Sequence, residues 1–289
     1  MKSFKAKAVD YTILNSIKEE KHIPFPFIRD EKGDKEMFCI SPLHGRSFLI
    51  CQNKDGRYVI SKGNGLSYTT KTFINTAELG CDSWGLLLKR EAQRDFLIGN
   101  EINDLGIKTN RMEFVLELNM VLEDSNTNTI IRPVLLQYNV ECPFRICDFP
   151  FVDKAIIEKE TNKWEVLNKK NYKSKYLIAA DVLISNLQLM HSKNILHNAI
   201  HIQNYTWALE LLDFEISRTN HYPYEKDDYE KTFSILFNRE MIQTYEVINY
   251  IAWCLKEDID YKKIDDMFEE YGYKLTSSEK ELTNLKRNN

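Results

Sequence analysis

Asn204 and Asp213 are the residues whose types and spacing point most directly to chemistry. A carboxamide oxygen and a carboxylate are hard oxygen ligands of the kind Mg²⁺ takes. Between them, Trp207 to Leu212 is apolar and compatible with a short buried hairpin. A tight hairpin returns its ends to one place, so the two groups would meet at one rim. His197 lies seven residues before Asn204, and Phe214 and Glu215 follow Asp213 directly. Taken singly, Asn204 reads as a turn residue and Asp213 as a strand-end cap. The joint pattern carries the metal reading.

A competing pattern overlaps this one. His197-Asn198-Ala199-Ile200-His201 has the outline of the H-E-x-x-H zinc motif. That chemistry needs a glutamate as general base and both histidines on one helical face. Asn198 stands at the glutamate position, and its Asn-rich surroundings do not favour a helix. The six cysteines are scattered without a C-x-x-C pair. Cys142 and Cys147 lack partners at ligand spacing. The thiols read as reduced and cytosolic.

A second group of candidates lies upstream. Lys62 ends a strand-like run and precedes the Gly63-Asn64-Gly65 turn; the Walker A pattern is missing, which excludes a P-loop NTPase. A helical pattern contains Arg94-Asp95-Phe96, and Cys142-Pro143-Phe144-Arg145 follows later. By themselves, Lys62 reads as a solvated strand end, Asp95 as a surface partner of a cation, and Arg145 as an exposed alternate residue.

The elements that must position these groups fall into two textures. Residues of about 36–152 are rich in short β-like runs, such as Phe48–Ile50, Tyr58–Ile60, Phe114–Leu116 and Val134–Leu136. Asp55-Gly56 is a hairpin signal. One helix interrupts this region over about 89–105, with apolar residues near helical period and Gly106 at the C-cap position. From about Lys173 the texture becomes helical, with helices expected at about 227–238, 240–256 and 261–270 after the first. The polar tail reads as frayed. We therefore expect an α+β fold of two lobes: residues 1–152 β-rich, and 153–289 mainly helical with a catalytic-loop-like segment at 197–215. The cleft between lobes is the default ligand site.

Composition narrows the function. The formal net charge of -4, without a long basic run, argues against general nucleic-acid binding. No stretch approaches the roughly 18 uninterrupted apolar residues of a membrane span. The N-terminus lacks the apolar region of a signal peptide. The expectation is a cytoplasmic protein with no membrane and no nucleic-acid partner.

Protein kinases hold Mg²⁺ with a catalytic-loop Asn and the Asp of Asp-Phe-Gly, the types and order seen at Asn204 and Asp213. In chain order, SKGNGLSYTT, QRDFLIGNEINDLGIKTNR, CPFRICDF and LHNAIHIQN…LLDFE resemble segments of the selenoprotein O family. Its members are protein-kinase-like enzymes that transfer AMP. The similarity runs from about Gly45 to Asp213 and is patchy outside these blocks. The resemblance implies a bilobal kinase-like fold and ATP bound with its α-phosphate facing the acceptor. It implies that Lys62 pairs with Asp95 and holds phosphates. Arg145 would contact phosphate too, with Arg46, Gly63 and Gly65 beside the nucleotide and Asn204 and Asp213 on Mg²⁺ or Mn²⁺. The acceptor would be a hydroxyl of an unidentified protein.

The chain departs from the family at several positions. Gln203 replaces the acidic residue before the metal-binding Asn, and an amide cannot act as a general base at neutral pH. Gln203 is nonetheless the residue at the catalytic position. Ala199 stands where kinases carry the catalytic Asp. Asp95 is one methylene shorter than the family's Glu, and Glu91 or Glu101 could substitute. Glu215 replaces the glycine after Asp-Phe, and Thr70-Lys71 replaces a family arginine. A binding module without transfer activity, or a phosphotransferase, are the alternatives.

Overall fold

The computed structural model describes residues 2–17, 23–41, 43, 45–65, 85–124, 129–222 and 229–274. The expected features at His44, Leu66–Thr70, Lys71 and the polar tail lie outside them. The fold is α+β, with a large antiparallel sheet and several helices. It divides into two compact units. The first comprises residues 1–104, 109–144 and 212–215, and the second 105–108, 145–211 and 216–289.

In the first unit the strands are β1 (Lys2–Ala8), β2 (Tyr11–Ser16), β3 (Phe27–Arg29), β4 (Lys35–Cys39), β5 (Ser47–Gln52), β6 (Tyr58–Lys62), β7 (Arg111–Leu118), β8 (Leu122–Asp124), β9 (Thr129–Ile131) and β10 (Val134–Val140). Eight of them form one sheet in the order β2-β7-β10-β6-β5-β4-β1-β3; β8 and β9 pair separately. Asn53 and Gly56 close the β5–β6 turn, with Gly56 at φ +78°. Three strands precede the short β-like runs read over about 36–152. β1 alternates buried Phe4 and Ala6 with exposed Ser3, Lys5 and Lys7. That is the period-2 signature of a strand with one covered face.

The helix α1 (Lys89–Asp104) packs against β7 and β10. Ala92, Asp95, Phe96, Gly99 and Ile102 are all buried, and they fall on one helical face. Gly99 permits the close approach: a Cβ there would lie 2.5 Å from Met112 Cε and 3.1 Å from Phe214 Cδ2. The helix ends before Gly106, whose φ of +86° suits a C-cap.

The second unit is helical: α2 (Lys154–Asn162), α3 (Lys175–Ser192), α4 (Tyr229–Leu255) and α5 (Tyr261–Glu270). α3 carries the core, with Ile178, Leu183, Ile184, Leu187 and Met190 buried against α4 and α5. Its first turn is capped from a distance, since Glu257 accepts from the Lys175 and Tyr176 N–H groups at 3.1 and 3.3 Å. The two helices expected at about 227–238 and 240–256 are one. Glu240, which would open the second of them, is 1% exposed. It bonds His191 Nε2 at 2.9 Å and accepts from the Asn198 N–H. A satisfied carboxylate can be buried in a continuous helix.

Candidate functional site

Lys62 lies at the end of β6, and its ammonium sits among three carboxylates. Nζ is 2.6 Å from Asp213 Oδ1, 3.1 Å from Asp95 Oδ2 and 3.2 Å from Glu215 Oε2. All four residues belong to the first unit. The side chains of Lys62 and Asp95 are 3% and 2% exposed, so the lysine is a buried cation rather than a solvated strand end. Of the three acids considered on α1, it is Asp95 that pairs with Lys62. Arg46, just before β5, reaches the other oxygen of Glu215 through Nη2. Two cations therefore face three carboxylates.

The pieces are held by separate devices. Asp95 faces inward because it shares the apolar stripe of α1. Its Oδ1 accepts from the Phe214 N–H at 2.9 Å, which ties the Leu212–Glu215 segment to the helix. Phe214 is fully buried beside Gly99. Asp213 adopts φ +74°, an uncommon region for a non-glycine residue. Strain of that kind persists where the surroundings over-determine the backbone.

Gly63 has φ +101°, and a Cβ there would lie 2.6 Å from the Val134 carbonyl oxygen. Gly65 has φ +105°. The Gly63 N–H donates to the Arg46 carbonyl and that of Gly65 to the Gly85 carbonyl. In this turn the two glycines supply backbone conformation and aim Lys62; their amides are spent within the protein.

Burial alone would pull the Lys62 ammonium down. Asp213, Glu215 and Asp95 outweigh that, against opposition from Arg46, and hold it above its ordinary range. Lys62 is thus a permanent cation. A nucleophilic lysine would need the opposite shift. Burial pushes Asp95 up to about 6, with Lys62 and the Phe214 N–H opposing and Asp213 and Glu215 adding to the rise.

One oxygen from each of Asp95, Asp213 and Glu215 lies within 4.8 Å of the others. Hard carboxylate oxygens at that spacing fit Mg²⁺ or Mn²⁺. Glu215 is the member that sequence reasoning left without a role. Its position directly after Asp-Phe was the available signal.

Arg145, Gln203 and Asn204 form a separate constellation inside the second unit. Arg145 is 8% exposed, so it is not an exposed alternate residue. Its Nη1 donates to the Gln203 carbonyl at 2.7 Å and faces Asn204 Oδ1 at 3.4 Å. Asn204 Nδ2 donates to the Ala199 carbonyl at 2.8 Å, which orients the carboxamide. An isolated bridge pairs Tyr205 with Leu211, closing the expected hairpin. Trp207 in that loop stacks on Trp164, with ring centroids 6.2 Å apart. Residues 197–201 are not helical, and the buried His197 ring accepts from the Ala199 N–H at 3.2 Å. The Gln203 side chain is exposed, and its N–H donates to His201 Nδ1.

No protein-family model matches the chain, and no curated protein does. Among solved structures it is similar to the kinase domain of a Toxoplasma gondii specific rhoptry antigen. The identity is 10% and the TM-score 0.39, covering 84% of this chain and 76% of that one. Among the described residues, no helix is long and apolar enough to cross a membrane.

Proposed function

We propose that this is a kinase-like protein whose first unit binds the phosphates and divalent metal of ATP. The observation that carries the reading is the buried Lys62, paired at once with Asp95 on α1 and with Asp213 of Asp-Phe-Glu. A lysine–helix-acid pair beside a metal-binding Asp is the arrangement by which kinases hold a nucleotide's phosphates. In this reading Lys62 and Arg46 take phosphate oxygens and Asp213 takes the metal. Asn204 and Arg145 are the second unit's candidates for metal and phosphate. A bound Mg²⁺ or Mn²⁺ would neutralise charge on the transferred group.

The activity implied by the sequence resemblance is AMP transfer to a protein hydroxyl. The acceptor oxygen bonds to the α-phosphorus as the bond to pyrophosphate breaks, and the hydroxyl proton passes to water. Positioning and charge neutralisation supply much of the catalysis in phosphoryl transfer, so the exposed Gln203 amide need not act as a base. That same amide favours the second reading, a nucleotide-dependent binding module without transfer. ATP labelled on the α- or γ-phosphate separates them. α-Label on protein, lost in Asp213→Ala, supports AMP transfer. γ-Label alone marks a phosphotransferase. A thermal shift with Mg-ATP and no transfer of either label marks the binding module. No response to nucleotide overturns the whole reading.

A further inference from the structure

Glu215 holds both of the first unit's cations that the nucleotide reading assigns to phosphate, Lys62 and Arg46. One carboxylate oxygen accepts from Lys62 Nζ at 3.2 Å and the other from Arg46 Nη2 at 2.5 Å. A carboxylate bridging two cations presents them with the acceptors that two oxygens of a phosphate would offer. Its side chain is 14% exposed, against 2% for Asp95. Asp95 is tied to the backbone of Phe214 as well as to Lys62, and so is built into the scaffold. Glu215 sits at the end of the Leu212–Glu215 segment, where a side-chain rotation would release both cations.

We infer that Glu215 is an internal anion that competes with phosphate for Lys62 and Arg46, and so makes the site select the metal complex of a nucleotide over the free nucleotide. This rests on the nucleotide reading above. The charge count gives the reason. Counted at formal charge, Lys62 and Arg46 against Asp95, Asp213 and Glu215 leave one net negative charge, which repels a free triphosphate. A divalent cation turns that into one net positive charge and offers the carboxylates a better partner than the lysine. Phosphate can then take the vacated cations. With Gln at position 215 the metal-free site is neutral and the competing carboxylate is gone.

The test is calorimetric titration of ATP into the full chain, with Mg²⁺ or with EDTA, for the wild type, Glu215→Gln and Glu215→Asp. The wild type is expected to bind Mg-ATP at least about tenfold more tightly than metal-free ATP. Glu215→Gln should gain about tenfold for metal-free ATP and lose most of that metal dependence. Glu215→Asp is too short to span both cations and should fall between, which keeps the test open if the Gln variant does not fold. If the wild type binds Mg-ATP but neither variant changes the metal-free affinity, the competition is refuted and the nucleotide reading survives. Weaker Mg-ATP binding in Glu215→Gln, with metal-free binding unchanged, leaves Glu215 a metal ligand only and also refutes the competition. If no form binds ATP under either condition, the nucleotide reading itself fails.

Discussion

Replacing Lys62 by Met keeps most of the side-chain volume and removes the charge, so it isolates what the ammonium does. Lys62 Nζ is the common partner of Asp95, Asp213 and Glu215 at 2.6–3.2 Å. Removing one partner of a buried ionic cluster leaves uncompensated charge and costs about 3–5 kcal/mol. Against a total stability of about 5–15 kcal/mol, that is a large loss. Urea denaturation followed by circular dichroism should show it at neutral pH. The pH dependence identifies the cause. Asp95 already titrates near 6 in the folded protein, above its ordinary 3.8. A carboxyl raised in this way favours the fold fully below its unfolded value, and that contribution is lost as pH rises through 6. Without Lys62, which lowers it, the Asp95 value rises further. The variant should therefore recover about 1–2 kcal/mol relative to wild type between about pH 7.5 and pH 5. Millimolar Mg²⁺ should also recover part of the loss at neutral pH. A loss under about 1 kcal/mol, or one equal at both pH values, would refute the charge account and leave Lys62 as packing.

The two glycines after Lys62 should differ. Gly63→Ala meets the Val134 carbonyl oxygen at 2.6 Å as well as the positive φ, and should cost about 2–3 kcal/mol; at Gly65 the nearest atom among the described residues is Arg29 Cβ at 3.5 Å, so Ala there should cost about 1. Chemical denaturation of both variants checks the order, and a reversed order would be inconsistent with the turn geometry. In the second unit burial lowers the His191 pKa from its ordinary 6.5, with Glu240 opposing. Its contribution to stability is present above 6.5 and fades as pH falls through the lowered folded value. His191→Gln should flatten the acid side of the pH–stability curve, opposite in sign to the Asp95 effect; an unchanged slope would remove His191 as its source.

The local parts of this protein were legible in its sequence. Helix α1 followed from its apolar spacing and Gly106, the β5–β6 hairpin from Asp55-Gly56, and the lysine at a strand end from the run before Gly63. Each depends on residues a few positions apart, where backbone preference and periodicity dominate. The N-terminal strands were not singled out within the expected β-rich lobe, because a short strand is stable only once neighbours cover its face. β1 finds its neighbours in β3 and β4. Helix α4 read as two because sequence does not reveal that His191 and Asn198 satisfy Glu240. The site divides the same way. The sequence by itself determined that a lysine, a helix acid and Asp-Phe-Glu occur in that order. Lys62 meets them across 33, 151 and 153 residues of chain. Only the tertiary structure decided that all three carboxylates share one buried ammonium and that Glu215 also takes Arg46. Burial and charge balance at that point depend on groups no local pattern connects.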